Sequence, residues 1–430
     1  MFDLIVRNTA ALLEDGSVRE HVDVAVKDGR IAQLSDHDAA SPKTASCVLD
    51  GYGRLLMPGL ADCHMHTGQQ LLKGRVLDEL PMIWTRIMLP FESTLTPELM
   101  SVSAGLAALE MIRSGTTAFV DAGSYHMEEA ARVYGESGLR GVLSVSTMDE
   151  PGLPPSIACT ADDAVSMTEA LFDVCEDYPL LKAACALRSL ISCSPELIRR
   201  ISELSLRRGS LLQAHMNEYP GEVNFFLQRY QLRPVEYLES LGVLGPRFIS
   251  AHSLLLSERE KELFAENQVK VCHCPFSNCA KGVPDTPALL QRGICVGLGT
   301  DGAAHGGLSL WNEMKIFRSV MNAVHGVSES NPRIMPAATI LDMATKSGCL
   351  LMDEPECGRI AAGCRADFIT IDIRQPHLYP TGNLANTLLE SVTAGDVKDM
   401  VVNGRLIMRD REILTLDEEK ILWEAEQYIG

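Results

Sequence analysis

The chain has 430 residues, and its 57 acidic side chains outnumber the 38 basic ones, giving a formal net charge of −19. We expect no nucleic acid and no anionic membrane surface among its partners, because phosphates would be repelled by this charge. The length predicts two or three domains, or one large barrel with an appendage. Thirteen cysteines without a regular spacing predict reduced thiols and a cytoplasmic location. The first residues lack the apolar core of a signal peptide.

Both ends of the chain have the pattern of short β-strands. Residues 1–57 contain the alternating stretches "DLIVRN" and "VDVAVKDGRIAQL", in which "KDGR" is typical of a hairpin turn. The same pattern returns near the other end in "ADFITIDI" and "VKDMVVNGRLIMRDREIL". We therefore predict that residues 1–57 and 360–430 together form one small β-sandwich domain.

The middle of the chain alternates short apolar runs with stretches of helical periodicity. Residues 96–115 and 194–209 each start with a capping residue and proline and end with glycine, as helices do. Apolar strands separated by amphipathic helices indicate a parallel sheet covered by helices. We predict an α/β fold in which residues 58–359 form a (β/α)8 TIM-type barrel. An open doubly wound sheet is disfavoured, because no Gly-x-Gly-x-x-Gly follows the first strand. The eight runs are "GLADCHMH", "TTAFVDAG", "RGVLSVSTMD", "LKAACALRS", "LLQAHMNE", "RFISAHS", "VKVCHCPFSN" and "ICVGLGTDG".

Residues that can bind metals or carry protons recur where these runs end, which is where the active sites of barrels lie. The first run ends in His64 and His66, and the period of two residues in a strand places both on the same face. Asp62 lies deeper in the barrel, where we expect it to have a structural hydrogen-bonding role. The later members of the set are, in chain order, His215, Glu218, His252, His273 and Asp301.

This set of residues predicts a hydrolytic metal centre. Three imidazoles and one carboxylate suit a divalent ion, Zn²⁺ first and Fe²⁺ next, and an open position would convert bound water to hydroxide. Asp301 is suited both to bind the metal and to accept a proton from the water. Glu218 is the candidate general acid, for which we expect burial to raise the pKa. His252 is placed to donate a hydrogen bond to the nucleophile or to developing charge.

Five motifs of this chain resemble those of the amidohydrolase superfamily in order and approximate spacing. The closest resemblance is to the branch of S-adenosylhomocysteine and 5′-methylthioadenosine deaminases, cytosine-deaminase-like enzymes and triazine hydrolases. The resemblance covers nearly the whole chain and implies the same split β-sandwich around a barrel. It also implies one metal ion bound by His64, His66, His215 and Asp301. The motifs are "PGLADCHMH", "HMNE", "SAHS", "HCPFSN" and "GTDGAA".

The resemblance implies a hydrolase that acts on carbon–nitrogen bonds other than peptide bonds, namely a deaminase of cyclic amidines. Glu218 is then the acid of the His-x-x-Glu motif, and His252 is the catalytic histidine beside the metal. Binuclear members of the superfamily bridge two metals with a lysine at the end of strand four. Here Arg188 ends that strand and Lys182 starts it, so we expect one metal.

The expected substrate is an amino-substituted N-heteroaromatic compound, with an adenosine-type nucleoside such as S-adenosylhomocysteine or 5′-methylthioadenosine as the first choice. Glu92 matches the carboxylate that such deaminases use on ribose hydroxyls, and Gln70 and Trp84 are expected to line the same region. Arg188 replaces a common substrate-contacting histidine and is a candidate partner for a carboxylate or ring oxygen. His305 lies where these enzymes usually read Ser-Asn-Asn, and "SNCAKG" departs from a usual Lys-Leu-Gly ending.

Two alternatives stay open at this stage. A triazine-type or formimino hydrolase would use the same site with another leaving group. A non-catalytic binding relative is disfavoured, because the complete catalytic set is present. The partner we expect is a small-molecule substrate, and the acidic amphipathic stretch "LDEEKILWEAEQYIG" is a candidate contact for a homo-oligomer.

Overall fold

Two nine-stranded sheets organise the chain, for which we obtained a computed structural model that describes residues 1–40, 44–79 and 83–428. In chain order the strands are β1 (Phe2–Leu12), β2 (Val18–Lys27), β3 (Arg30–Asp36), β4 (Ala45–Asp50), β5 (Arg54–Pro58), β6 (Leu60–His66), β7 (Thr116–Asp121), β8 (Arg140–Ser144), β9 (Leu181–Leu187), β10 (Leu212–Met216), β11 (Phe248–His252), β12 (Lys270–His273), β13 (Val296–Leu298), β14 (Asp301–Gly302), β15 (Phe368–Asp372), β16 (Val397–Val402), β17 (Arg405–Arg409) and β18 (Glu412–Ile413).

The first sheet is built from both ends of the chain. Its strands follow the order β18-β17-β16-β15-β5-β1-β2-β3, and β4 pairs with β1. Strand β5 joins the two halves through its antiparallel pairing with β15, in which Met57 lies opposite Ile369. Leu56 and Phe368 are fully buried in an apolar core of this sheet. The predicted small β-domain from both termini is confirmed, whereas the limits at residues 57 and 360 stay a prediction.

The second sheet is the predicted barrel. Strands β6 to β13 follow one another in parallel, and β14 pairs with β6 to close the circle. Strands β13 and β14 are two pieces of the eighth strand, so the nine strands occupy eight barrel positions. Gly299 lies between these pieces, where a Cβ atom would approach the His64 carbonyl oxygen to 2.7 Å. A glycine therefore lets the eighth strand pass close to the first.

Helices follow the strands of the barrel and cover it. The two helices predicted around residues 96–115 and 194–209 are confirmed, since Thr96 and Ser194 cap their first turns. The helices are α1 (Leu89–Glu92), α2 (Pro97–Ser114), α3 (Met127–Ser137), α4 (Ala161–Cys175), α5 (Pro195–Arg208), α6 (Pro220–Tyr230), α7 (Pro234–Ser240), α8 (Glu258–Glu266), α9 (Pro275–Asn278), α10 (Thr286–Gln291), α11 (Leu310–Met321), α12 (Ala337–Met343), α13 (Lys346–Leu351), α14 (Leu384–Ser391) and α15 (Glu418–Glu426).

Within the described ranges, no single helix has the length and apolar composition needed to cross a membrane. The helical segments Trp84–Glu92 and Pro97–Ser114 reach this length and apolar composition only when they are taken together. The two segments are bent by 112° relative to each other.

Candidate metal centre and active site

The carboxyl ends of three barrel strands bring four potential metal ligands together. His64 and His66 come from β6, His215 from β10 and Asp301 from β14, and one donor atom of each lies within 4.8 Å of the others. His66 Nε2 is 3.2 Å from His215 Nε2 and 3.4 Å from Asp301 Oδ1, and His64 Nε2 is 3.9 Å from Asp301 Oδ1. Ligand atoms about 3.3 Å apart are expected around a tetrahedral ion with bonds near 2.0–2.1 Å. The four side chains fit one such ion.

Burial keeps the three imidazoles in the form that binds metals. Desolvation lowers the pKa of His64 to about 3, against an opposing effect of Asp301. Desolvation also lowers the pKa values of His66 and His215 well below the usual range. Neutral imidazole is the metal ligand, so these rings need not lose a proton at neutral pH. Both ring nitrogens of His64 are buried without a hydrogen-bond partner among the described residues, so either nitrogen is available to bind an ion.

The backbone is strained at three residues at or next to the ends of barrel strands β10, β11 and β14. Asn217, His252 and Asp301 have φ angles of 49°, 67° and 60°, in the left-handed region that side chains other than glycine rarely adopt. Such conformations cost about 1–3 kcal/mol each and cluster at functional sites.

Glu218 lies next to the metal-ligand cluster, but its pKa differs from the expectation. Burial raises the pKa of this carboxyl, yet His252 and Lys281 together lower it below the ordinary value. His252 Nε2 is 3.6 Å from Glu218 Oε1, and Lys281 Nζ donates a hydrogen bond to the same oxygen. The expected raised pKa is therefore wrong for this arrangement. Glu218 is an ionised carboxylate that must take up a proton before it can deliver one.

His252 is positioned as a cationic donor. Burial lowers the pKa of its ring, but Glu218 and other acidic neighbours outweigh this effect and raise the pKa to about 9. The Asn278 side-chain amide lies 3.0 Å from His252 Nδ1 and fixes the ring, and His252 Nε2 is 4.0 Å from Asp301 Oδ2. The ring is therefore placed to face negative charge beside the cluster.

A cavity of about 410 Å³ is lined by His66, His215 and Asp301 of the cluster and by Glu218. Of the predicted substrate-binding residues, Trp84, Arg188 and His305 line this cavity. Gln70 and Glu92 do not belong to its lining, and Gln69 is found there instead. Both glutamines belong to the 3₁₀ helix Thr67–Leu72, and Gln69 is the one that lines the cavity. Other lining residues include Met88, Ile191, Tyr219, Phe225 and Lys281.

Glu92 forms a buried ion pair with Arg188 behind the wall of this cavity. Arg188 donates to Glu92 Oε1 across 2.8 Å, and the Gln69 amide donates to the same oxygen across 2.6 Å. The other oxygen of Glu92 is buried without a hydrogen-bond partner among the described residues. The carboxylate expected to bind ribose hydroxyls is thus already held by two side chains.

Arg188 also contacts a candidate metal ligand. Its guanidinium lies 2.7 Å from His66 Nδ1 and donates to the Gly123 carbonyl oxygen at 3.0 Å. A guanidinium can only donate, so Nδ1 accepts here and the hydrogen of the neutral ring sits on Nε2. A metal ion held through Nε2 would need the other neutral tautomer of this ring, with the hydrogen on Nδ1.

The structure also contains functional candidates that the sequence analysis missed. Lys281 reaches into the cavity from the loop after α9, and Tyr219 lies beneath its ammonium group. The sequence signal for Lys281 was present, because "SNCAKG" departs from the superfamily pattern. The signal did not reveal that the lysine side chain points to Glu218. Asp62, in contrast, accepts hydrogen bonds from Thr300 and the His64 backbone, which agrees with its expected structural role.

Comparison with known proteins identifies the family. The model of the amidohydrolase family matches residues 55–407, which includes the barrel strands and all the candidate ligands. The chain belongs to the amidohydrolase family. This confirms the resemblance drawn from the five motifs.

Curated amidohydrolases are similar to this chain over nearly its whole length. It is 35% identical to the 5-methylthioadenosine/S-adenosylhomocysteine deaminase of Syntrophobacter fumaroxidans, over 100% of this chain and 98% of that protein. It is 34% identical to the 5′-deoxyadenosine deaminase of Methanothermobacter thermautotrophicus, over 96% of this chain and 95% of that one.

Solved structures agree with the fold. An adenosine deaminase from Xanthomonas campestris with bound zinc superposes with a TM-score of 0.93 at 27% identity, covering 99% of this chain and 98% of that one. A triazine hydrolase at 20% identity has a TM-score of 0.91 and covers 100% of both chains.

This amidohydrolase is a metal-dependent hydrolytic deaminase, a hydrolase of carbon–nitrogen bonds, and it acts on a small molecule.

Proposed function

We propose that this amidohydrolase removes the amino group of an adenosine-type nucleoside, such as S-adenosylhomocysteine or 5′-methylthioadenosine. The observation that carries the proposal is the meeting of a His-His-His-Asp cluster with Glu218 and His252 at one cavity. The names of the relatives at 34–35% identity support the nucleoside class. Trp84 in the cavity wall offers an aromatic surface for a purine ring.

The metal in this proposal is one Zn²⁺ ion, with Fe²⁺ as the alternative, held by His64, His66, His215 and Asp301. Three nitrogen ligands and one carboxylate suit either ion. When bound, such an ion lowers the pKa of water towards neutrality and polarises the reacting bond. The zinc in the adenosine deaminase of similar fold supports the choice of zinc.

The side chains of the protein then move the protons. Water adds to the amino-bearing ring carbon while Glu218 takes one of its protons and passes it to the ring nitrogen. Asp301 accepts the remaining hydroxyl proton and gives it to the departing amino group, which leaves as ammonia. His252, as an imidazolium, stabilises negative charge on the oxygen that becomes the carbonyl. Every proton taken from water is thereby delivered to product or ammonia.

A second candidate, a compact heteroaromatic compound of the triazine type, is favoured by the ion pair between Arg188 and Glu92. Oε1 of Glu92 is already bound by Arg188 and Gln69, and its other oxygen is buried, so the carboxylate cannot reach a ribose diol unless the pair opens. Arg188 also lines the cavity and could instead donate to a ring oxygen or a carboxylate of the substrate. A formimino hydrolase keeps the same site. A non-catalytic role is disfavoured by the complete set of catalytic side chains.

The test is ammonia release from purine nucleosides, free purines, pterins, pyrimidines and triazines by metal-loaded protein. We expect adenosine-type nucleosides to react and close to one zinc or iron per chain. The variant Glu218→Gln should keep its metal and lose turnover. Activity in a metal-free protein or undiminished activity in Glu218→Gln would contradict the proposed mechanism. Reaction of free bases or triazines alone would replace the nucleoside by the second candidate.

Four further expectations belong to the same proposal. The barrel and the β-domain divide near residues 57 and 360, and the chain works in the cytoplasm. It binds neither nucleic acid nor membrane, consistent with its net charge of −19. Helix α15 exposes Leu422 and Trp423, which makes it a candidate contact for a homo-oligomer.

A further inference from the structure

Lys281 is a buried cation in the active-site wall that the proposed mechanism does not use. Its side chain is only 7% exposed. The ammonium donates to Glu218 Oε1 and to Ser277 Oγ, the latter across 2.7 Å, and it lies 4.0 Å from Asp301 Oδ2. It also lies 5.3 Å from the centre of the Tyr219 ring. These contacts fix the ammonium group from four directions.

Burying a lysine contributes little net stability to the folded protein. Removing an ammonium group from water costs several kcal/mol, and a salt bridge in the interior often repays no more than this cost. Burial lowers the pKa of the Lys281 amine, but the carboxylates of Glu218 and Asp301 outweigh this effect and raise the pKa. The amine is therefore protonated. A lysine held in this way beside a proton-transferring carboxylate acts on that carboxylate.

The contacts divide the two oxygens of Glu218 between different tasks. Oε1 accepts from Lys281 and faces His252 Nε2 at 3.6 Å. Oε2 accepts no hydrogen bond from any residue that the structure describes, although Glu218 lines the substrate cavity. The backbone of Glu218 is itself fixed, because its N–H donates to Glu222 at 3.0 Å. The carboxyl group therefore presents one bound oxygen and one free oxygen.

We propose that Lys281 is a positioning residue that holds Oε1 of Glu218 and so reserves Oε2 for proton transfer to the substrate. The inference rests on the proposed deaminase function and deepens it. In the forward step an O–H bond of the attacking water breaks and an Oε2–H bond forms. The Oε2–H bond then breaks as an N–H bond forms on the ring nitrogen. After each delivery the carboxylate charge lies opposite the Lys281 ammonium, which keeps it oriented.

The variants Lys281→Met and Lys281→Arg test this role in the full-length, metal-loaded enzyme. We expect Lys281→Met to lower kcat about 100-fold, the loss that about 1 Å of misplacement of a catalytic group produces. KM should change much less, because Lys281 acts on Glu218 rather than on the bound ring. Lys281→Arg should restore most of kcat, since the guanidinium can donate to the same oxygen.

The pH profile separates positioning from structural support. Glu218 is faced by Lys281, His252, Asp301 and Glu222, and only the first is removed in Lys281→Met. The acid limb of kcat/KM should therefore move to higher pH. The matched control is Lys261→Met. Lys261 belongs to the outer helix α8, its side chain is 4% exposed, and it pairs with Asp285 at 2.7 Å. This control should lose stability without shifting kcat or the pH profile.

A crystal structure of metal-loaded Lys281→Met supplies a readout independent of turnover. We expect the Glu218 carboxyl to rotate away from its wild-type orientation while the metal content stays at one ion per chain. An unchanged orientation, or equal kinetic losses in Lys281→Met and Lys261→Met, would overturn the inference. If wild-type protein releases ammonia from no compound, the proposed function fails, and the orientation of Glu218 still decides the role of Lys281.

Discussion

The guanidinium of Arg188 and the carboxylate of Glu92 form a hydrogen-bonded ion pair at 2.8 Å, with side chains that are 2% and 0% exposed. The pair lies between the candidate metal ligand His66, which Arg188 also contacts, and the interior behind the cavity wall. Two charges so far from water depend on each other, because either one alone would be buried without compensation.

We predict that Arg188→Met lowers the free energy of unfolding by about 3–5 kcal/mol, the cost of stranding one buried partner of an ion pair. The loss should be measured by urea denaturation. The double variant Arg188→Met/Glu92→Met should recover much of it, because no unpaired charge remains. The control is Arg199→Met, whose pair with Glu203 is 59% and 50% exposed, so its removal should cost at most about 1 kcal/mol. Equal costs for the two single variants would contradict a buried pair.

Much of the architecture could be predicted because a barrel has a strong sequence signal. Apolar runs of strand length, helical stretches between them and chemistry at the run ends together specify where each strand stops. The parity of His64 and His66 and the position of Asp301 follow from strand periodicity and barrel closure. The choice of His215 over His252 and His273 as the third imidazole came from the resemblance to the amidohydrolase superfamily, not from periodicity.

The cavity wall was harder to predict, because it depends on loops and side-chain conformations. Gln69 rather than Gln70 lines the cavity from the 3₁₀ helix Thr67–Leu72, which residue periodicity does not reveal. The pairing of Glu92 with Arg188 joins residues 96 positions apart. The pKa of Glu218 is lowered by His252 and Lys281, so burial alone gave the wrong direction.

Glu313 of α11 offers a test of pH-dependent stability. Burial raises the pKa of its carboxyl well above the ordinary 4.5, although the Phe276 N–H donates to it at 2.8 Å. The folded protein therefore keeps a proton that the unfolded chain releases above about pH 4.5, so this residue lowers stability as the pH rises. Glu313→Gln keeps an acceptor for Phe276 and cannot ionise. We predict that its stability gain over wild type grows by up to about 1.4 kcal/mol per pH unit above pH 4.5.

Urea denaturation at pH 5, 6, 7 and 8 measures this gain. Glu266→Gln is the matched control, because Glu266 is 57% exposed on α8 and should show no such trend. A gain from Glu313→Gln that is constant across the pH range would mean that the carboxyl ionises alike in both states.

Metal removal should destabilise the protein, because the ligand cluster exists only in the folded chain. We predict that adding Zn²⁺ at 100 times its Kd to chelator-treated protein raises the free energy of unfolding by about 2.7 kcal/mol. Ca²⁺ should have no comparable effect, since it prefers sites made only of oxygen ligands. Asp301→Ala should abolish the response to zinc. Equal stabilisation of wild type and Asp301→Ala would place the zinc outside the proposed centre.

Asp62 lies beside the metal-ligand cluster, and its contacts indicate that it supports a ligand rather than binding the metal itself. Asp62 Oδ1 accepts from the Thr300 N–H at 3.1 Å and the His64 N–H at 3.2 Å, and Oδ2 accepts from Thr300 Oγ1 at 2.6 Å. Burial raises the pKa of Asp62 to about 7, so a neutral side chain suits this position. We predict that Asp62→Asn keeps one metal ion per chain and most of the stability, because its carbonyl can accept both N–H groups.

Asp62→Ala should instead lose about 1–3 kcal/mol for each buried donor left without a partner. The His64 donor belongs to β6, the first barrel strand, and the Thr300 donors belong to the eighth, between β13 and β14. Their loss should therefore loosen the junction that carries His64 and Asp301. Metal analysis and urea denaturation of the two variants separate the roles. A folded Asp62→Asn protein that has lost its metal would show that Asp62 is a ligand after all.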